Sequence, residues 1–189
     1  MRTICVTGAG GMTGTAAALR LLADGYAVVG ADVVPLPSTL PPQWSLPTFQ
    51  YVRCDLTDYG DTVEVLSGVD AVVHLANVPA PGLRPASRTM HINTAMNSNV
   101  FLAATQLGLE RVVWSSSETT LGLNFDADNV PKYLPVDEAH APYPTSTYAL
   151  SKVLAETTAR HLADWSGIPF VGLRLSNVIR PEAYADFPH

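Results

Sequence analysis

Long apolar runs are missing from this 189-residue sequence. No stretch reaches the roughly 20 residues that a membrane-spanning helix requires, so no membrane contact is expected. Positive charge is scarce as well. Eleven Lys and Arg against 17 Asp and Glu leave a net charge of −6, which argues against a nucleic-acid surface and offers no polybasic membrane patch. Only two cysteines occur, Cys5 and Cys54, each in an apolar stretch and in no metal-like spacing. They read as packing thiols, with no metal site. No charged leader precedes the first apolar stretch, and a cytoplasmic location is the expectation. What is present is the composition of one globular domain, 47% hydrophobic and 15% charged.

The opening, Thr3-Ile-Cys-Val-Thr-Gly-Ala-Gly-Gly-Met-Thr-Gly14, organises the rest. Ile4–Val6 reads as a buried strand, Gly8, Gly11 and Gly14 as a turn, and Ala16–Leu22 as a helix. Backbone N–H groups at such a helix start carry partial positive charge, and glycine lets a pyrophosphate approach them. The next apolar strand, Tyr26–Ala31, ends at Asp32, whose carboxylate can accept from ribose hydroxyls and would repel a 2′-phosphate. The site therefore reads as one for NAD, with NADP the lesser alternative.

Strands alternate with helical patterns along the chain, which predicts an α/β fold with a doubly wound parallel sheet. The proline-dense stretch from Val33 to Pro47 cannot be a helix; its Trp44 either covers the adenine or packs on the sheet edge. Phe49–Cys54 reads as the third strand and Tyr59–Leu66 as a helix capped by Asp58 or Thr57. Asp55 either accepts from the adenine or opens a turn. Ala71–Ala76 is the fourth strand, with His74 a core residue. The loop from Asn77 to Arg88 should cover the crevice, with Arg84 and Arg88 available to an anionic substrate. Helix 89–107 carries Asn93, Asn97 and Asn99, unusual in a helix, with one or more of them turned toward a buried polar site. Arg111–Trp114 leads into the hydroxyl shelf Ser115–Thr120. An irregular stretch from Gly122 to Pro144 precedes helix 147–165, and 169–175 is the sixth strand.

Tyr148 and Lys152 lie four apart on that last helix and share a face. An ammonium beside a phenol favours the phenolate, so the pair can exchange protons near neutrality. With the hydroxyl shelf and the glycine turn, the sequence resembles the extended short-chain dehydrogenase/reductase superfamily, the NAD-dependent epimerase/dehydratase group. Matching motifs are Thr7–Gly14, Asp55–Asp58, His74–Ala76, Asn93–Asn99, Val112–Ser117, Pro144–Lys152 and Leu173–Val178.

The resemblance implies that Ser117 orients the substrate oxygen, Tyr148 is the general acid/base, and Lys152 holds the nicotinamide ribose. It implies that Gly8, Gly11, Met12 and Gly14 line the pyrophosphate, Asp32 the ribose, and Asp55 and Leu56 the adenine. Leu75, Ala76, Asn99 and Ser115 follow along the rest of the cofactor, and Asn77 and Asn177 face the substrate. The implied activity is NAD-dependent hydride exchange at a carbinol or carbonyl of a small sugar-like molecule. The alternatives are a sugar epimerase or dehydratase, or a non-catalytic sensor module.

Three departures from the family pattern stand out: Leu121 in place of Tyr, Ala149 in place of Gly, and Ile179-Arg180-Pro181 in place of Tyr-Gly-Pro. They resemble the branch that oxidises sugar acids, in which Arg174 or a loop arginine would grip a carboxylate; Arg174 reads equally as a structural strand residue. Family members continue beyond Asn177, so the resemblance implies a cofactor domain over 1–189 whose segment 176–189 begins a largely missing substrate region. It also implies a homodimer through helices 89–107 and 147–165, for which the Trp165 and Leu162 side is a candidate surface.

Overall fold

The computed structural model describes residues 1–36, 41–122 and 130–186. Its strands are β1 (Thr3–Thr7), β2 (Ala27–Asp32), β3 (Phe49–Arg53), β4 (Ala71–His74), β5 (Arg111–Ser117) and β6 (Phe170–Leu175). They form one sheet in the order β3-β2-β1-β4-β5-β6, with every pairing parallel. The order reverses between β1 and β4, and that switch point opens a crevice at the carboxyl ends of the strands. This is the expected doubly wound, Rossmann-like α/β fold.

Strand alternation sorts the core into two layers. Cys5, Val72, Val112 and Trp114 pack with α2 (Tyr59–Leu66), α3 (Ala86–Leu107) and α4 (Thr147–Ser166). Val6 and Val28 pack with α1 (Met12–Ala23). Phe101 of α3 meets Trp114 and Phe170 edge-on, at centroid distances of 5.2 and 5.4 Å, and such pairs add to what area burial alone contributes. Asp58 caps α2 by accepting from the Asp61 N–H. Ser146 caps α4 by accepting from the Ala149 N–H, while Gly108 and Gly167 end α3 and α4 in left-handed conformations. No described helix is long and apolar enough to cross a membrane.

Several boundaries differ from the sequence reading. Helix α1 starts at Met12 rather than Ala16, because extended Gly11 serves as its N-cap and Gly14 is taken into the first turn. Helix α3 starts at Ala86 rather than Thr89, behind Pro85, whose backbone fits a helix entry. Strand β5 extends three residues past Trp114, since β6 supplies pairing partners for Ser115, Ser116 and Ser117. Trp44 is no lid: it sits in a 3-10 turn (Pro42–Ser45), buried and stacked on Phe49 at 4.6 Å. Leu162 is buried in the core beneath α4, so it offers nothing to a partner; Trp165 is exposed. The irregular stretch from Gly122 lies partly outside the described residues, and 130–144 carries neither helix nor strand.

Candidate active site

Helix α1 enters the crevice with an uncapped N-terminus. Gly11 contributes no side-chain cap and the first turn holds no acid, so the first N–H groups keep their capacity for an anion. The turn before it is too tight for side chains. A Cβ on Gly14 would stand 2.0 Å from the Gly8 carbonyl oxygen, and one on Gly8 would meet the Ala76 nitrogen at 2.9 Å, with φ of +69° at Gly8. Asp32 closes the far side, its Oδ2 accepting from the Gly10 N–H at 2.9 Å and its Oδ1 from the Val34 N–H at 3.2 Å. Each oxygen keeps a lone pair for a ribose hydroxyl. This bare cradle and its carboxylate fit a dinucleotide.

The chemistry gathers at the other end of the same rim. A cleft of about 410 Å³ is lined by Met12, Leu75, Ser115, Ser117, Tyr148 and Lys152, together with Asn77 and Asn177. Ser117 Oγ accepts from the Thr119 N–H at 3.2 Å and the Thr119 hydroxyl at 2.9 Å. With both lone pairs engaged, its own proton is left to donate to the phenol. Lys152 Nζ donates to the Ser115 carbonyl at 2.6 Å and lies 5.7 Å from the Tyr148 ring centroid.

The electrostatics differ from the expectation of a phenol acidified by its lysine. Burial raises the Tyr148 phenol above its ordinary value, and the hydrogen bond from Ser117 only pulls part of the way back. Burial also brings the Lys152 amine down from 10.5 to about 7. Burial of both groups, and not the nearness of the amine, sets the direction of the phenol.

The chain from residue 4 to residue 189 matches the model of the NAD dependent epimerase/dehydratase family. It belongs to that family. An NAD-dependent glucose-6-phosphate dehydrogenase of Haloferax volcanii is 32% identical, over 93% of this chain and 68% of that protein. A uronate dehydrogenase of Pseudomonas putida is 29% identical, over 92% of this chain and 60% of that one. A short-chain dehydrogenase/reductase superfamily protein from Agrobacterium tumefaciens, solved with bound NAD, superposes with a TM-score of 0.77 at 29% identity. That match covers 93% of this chain and 49% of the Agrobacterium chain. The chain thus spans about half to two thirds of these proteins. Dehydrogenases and epimerases both occur among the relatives. Family membership makes NAD the cofactor.

Other residues singled out from the sequence are distributed unevenly around this family site. Asp55 forms the turn: its Oδ1 accepts from the Thr57 N–H and hydroxyl at 2.9 and 2.7 Å. Leu56 is buried, and its carbonyl accepts from Asn99 Nδ2 at 2.9 Å, so Asn99 ties α3 to the end of β3. Ala76 donates its N–H to Thr7 Oγ1 at 3.2 Å.

Arg174 is not a substrate grip. Strand alternation puts it with Ser116 on the α4 face, where Glu156 takes its guanidinium in two hydrogen bonds of 2.9 and 2.8 Å and Ser116 in one of 2.6 Å. Arg84 is exposed and outside the cleft lining, and Arg88 lies in α3, also exposed. His74 is a core residue as expected, joined to Thr7 Oγ1 at 2.7 Å and Asn97 Oδ1 at 3.0 Å. Among the described residues no three His, Cys, Asp or Glu side chains gather as metal ligands.

Glu118 and Glu156 were not foreseen. Glu156 stands four residues beyond Lys152, the same spacing that links Lys152 to Tyr148, and that spacing was the available signal. Glu118 directly follows the hydroxyl shelf and lines the cleft; its position at the end of β5 was the only clue.

Proposed function

We propose that this chain is the cofactor-binding and catalytic portion of an NAD-dependent oxidoreductase acting on a carbinol or carbonyl of a sugar-like or sugar-acid substrate. One observation carries the reading. Ser117, Tyr148 and Lys152, from two separate elements, border one cleft that continues to the uncapped start of α1.

NAD would lie from Asp32, across Gly8, Gly11, Met12 and Gly14, to Ser115, Tyr148 and Lys152, and when bound it supplies a nicotinamide able to take or give hydride. Tyr148 takes the proton from a substrate hydroxyl, or returns it to a carbonyl oxygen, as general base or acid. Ser117 turns its one proton from the phenol to that oxygen when substrate is present, and so sets its direction. Lys152, fixed to the Ser115 carbonyl, stands beside the phenol and supports the phenolate whenever its amine is protonated. The tight turn at Gly8 and Gly14 fixes where the cofactor's phosphates come to rest.

Residues 1–189 act as the cofactor domain, with 176–189 opening the substrate region; Asn177 in the cleft lining supports that assignment. The protein works as a homodimer through α3 and α4, for which the partly exposed Leu102, Leu150 and Leu154 speak.

A Tyr148→Phe variant tests the reading. Turnover falls by about 10²- to 10⁴-fold while the NAD dissociation constant moves less than about tenfold, the effect of a single hydrogen bond. A wild-type protein that binds NAD yet transfers no hydride to any of a panel of carbinols and carbonyls refutes it.

A further inference from the structure

Resting on that reading of the site, we propose that Glu156 is a positioning residue for the reaction. Its carboxylate holds β5 and β6 at the level along α4 where Lys152 and Tyr148 meet the hydroxyl shelf. Ser116 and Arg174 are direct partners across the β5–β6 pairing, and both reach for the same group. Glu156 Oε1 accepts from the Ser116 hydroxyl at 2.6 Å and from Arg174 Nε at 2.9 Å, and Oε2 accepts from Arg174 Nη2 at 2.8 Å. One carboxylate on α4 thus spans two neighbouring strands. The contact lies mostly out of water, with the Glu156 and Arg174 side chains 16% and 22% exposed. A two-pronged arginine–carboxylate pair fixes direction as well as distance. Helix α4 can therefore neither slide nor turn on the strands without breaking it.

The reacting shelf lies on either side of that level. Ser115 and Ser117 flank Ser116 in β5, and strand alternation turns their side chains to the other face of the sheet. Lys152, one turn before Glu156 on α4, gives its Nζ to the Ser115 carbonyl at 2.6 Å, and Ser117 hydrogen-bonds to the Tyr148 phenol. Successive turns of α4 therefore hold successive residues of β5, the amine on Ser115 and the carboxylate on Ser116. A lysine is a point donor on a flexible stem, so one carbonyl does not by itself decide where the amine stops. The carboxylate one turn on supplies the second fixed point. On the neighbouring strand, Arg174 stands three residues before Asn177, which lines the cleft. The same ion pair thus sets where the chain leaves β6 toward the substrate.

The chain has two lysines, Lys132 and Lys152, so the amine can be watched directly by NMR of lysine-labelled protein. In a Lys132→Arg background the one remaining signal is titrated with and without two further changes. Ser116→Ala removes the hydrogen bond to β5 and leaves the ion pair whole. Glu156→Met with Arg174→Met removes both charges together, so the field at the amine changes little, and buried ion pairs often tolerate such apolar replacement. The other titratable groups around the amine, Tyr148 and His74, are untouched. Loss of positioning lets water reach the amine, and its titration midpoint moves up by about one pH unit or more in both variants. A contact that serves stability alone would shift the urea midpoint and leave the titration where it was. An unmoved titration in either folded variant overturns the proposal, and Ser116→Ala decides alone if the double variant does not fold. Where the parent protein transfers hydride, kcat falls about tenfold or more in both variants while the NAD dissociation constant holds; an unchanged kcat overturns the proposal as well. A parent protein without hydride transfer refutes the oxidoreductase reading, and the titration still decides whether Glu156 places the amine.

Discussion

Lys152→Met should make the coenzyme-free protein more stable, although it removes a residue assigned to the chemistry. Burial holds the amine at about 7 in place of 10.5, which corresponds to about 4 kcal/mol against the folded state at pH 7. Methionine has similar length and no charge to desolvate. Its cost is the bond from Nζ to the Ser115 carbonyl, and a buried acceptor left unpaired costs about 1–3 kcal/mol. The balance is a gain of about 2 kcal/mol at pH 7. The pH dependence gives a second reading. Between about 7 and 10.5 the unfolded chain binds a proton that the folded chain does not, so wild-type stability rises with pH through that window. From pH 7 to pH 9 the rise from this residue is about 2 kcal/mol, and Lys152→Met lacks it. Urea unfolding of both proteins at the two pH values, with equal m-values required, measures it directly. A variant less stable than wild type at pH 7, or one with the same pH slope, refutes the reasoning. A stabilised but inactive variant would mark Lys152 as a residue retained for chemistry at a cost to the fold.

His74 makes an acid-side counterpart. Burial first, and then the Lys152 charge, push its imidazole down from 6.5 to about 3, against a raising hydrogen bond to Asn97. Below 6.5 the unfolded chain takes up a proton that the folded chain refuses, so stability falls with falling pH and is level above that value. The loss at pH 5 is about 2 kcal/mol; wild-type and His74→Gln proteins whose urea midpoints fall in parallel between pH 7 and pH 5 would exclude it. The proposed homodimer through α3 and α4 predicts twice the chain mass by light scattering, and Leu150→Glu together with Leu154→Glu should return it to one. A monomeric wild type at micromolar concentration excludes the dimer.

Much of the fold was legible because its signals are local. Apolar β-branched runs at Val28–Val29, Val72–Val73 and Val112–Val113 announce buried parallel strands, since both faces of such a strand need apolar cover. Gly108 and Gly167 mark helix ends through the left-handed backbone that glycine adopts without strain. Tyr148 and Lys152 share a face by helical spacing alone. The boundaries were less legible, since the start of α1 depends on whether Gly14 can enter a helix, and that depends on how closely it packs on Gly8. Trp44 could not be placed from its neighbours. Its stacking on Phe49 and its 5.7 Å approach to Tyr51 arise only when the turn Pro42–Ser45 packs against β3.

The sequence by itself determined the alternation of strands and helices, the glycine turn with Asp32 beyond it, and the spacing of the phenol from the amine, because each depends on residues near one another in the chain. Only the tertiary structure decided the charges and partners. Burial under packed helices drew Lys152 toward neutrality and lifted Tyr148, a matter of how much water is excluded, which no spacing records. Strand alternation and the position of α4 sent Arg174 to Glu156 and left Glu118 in the cleft wall. Which side chain meets which across the sheet is fixed by the order of strands in space, and that order is a property of the folded chain.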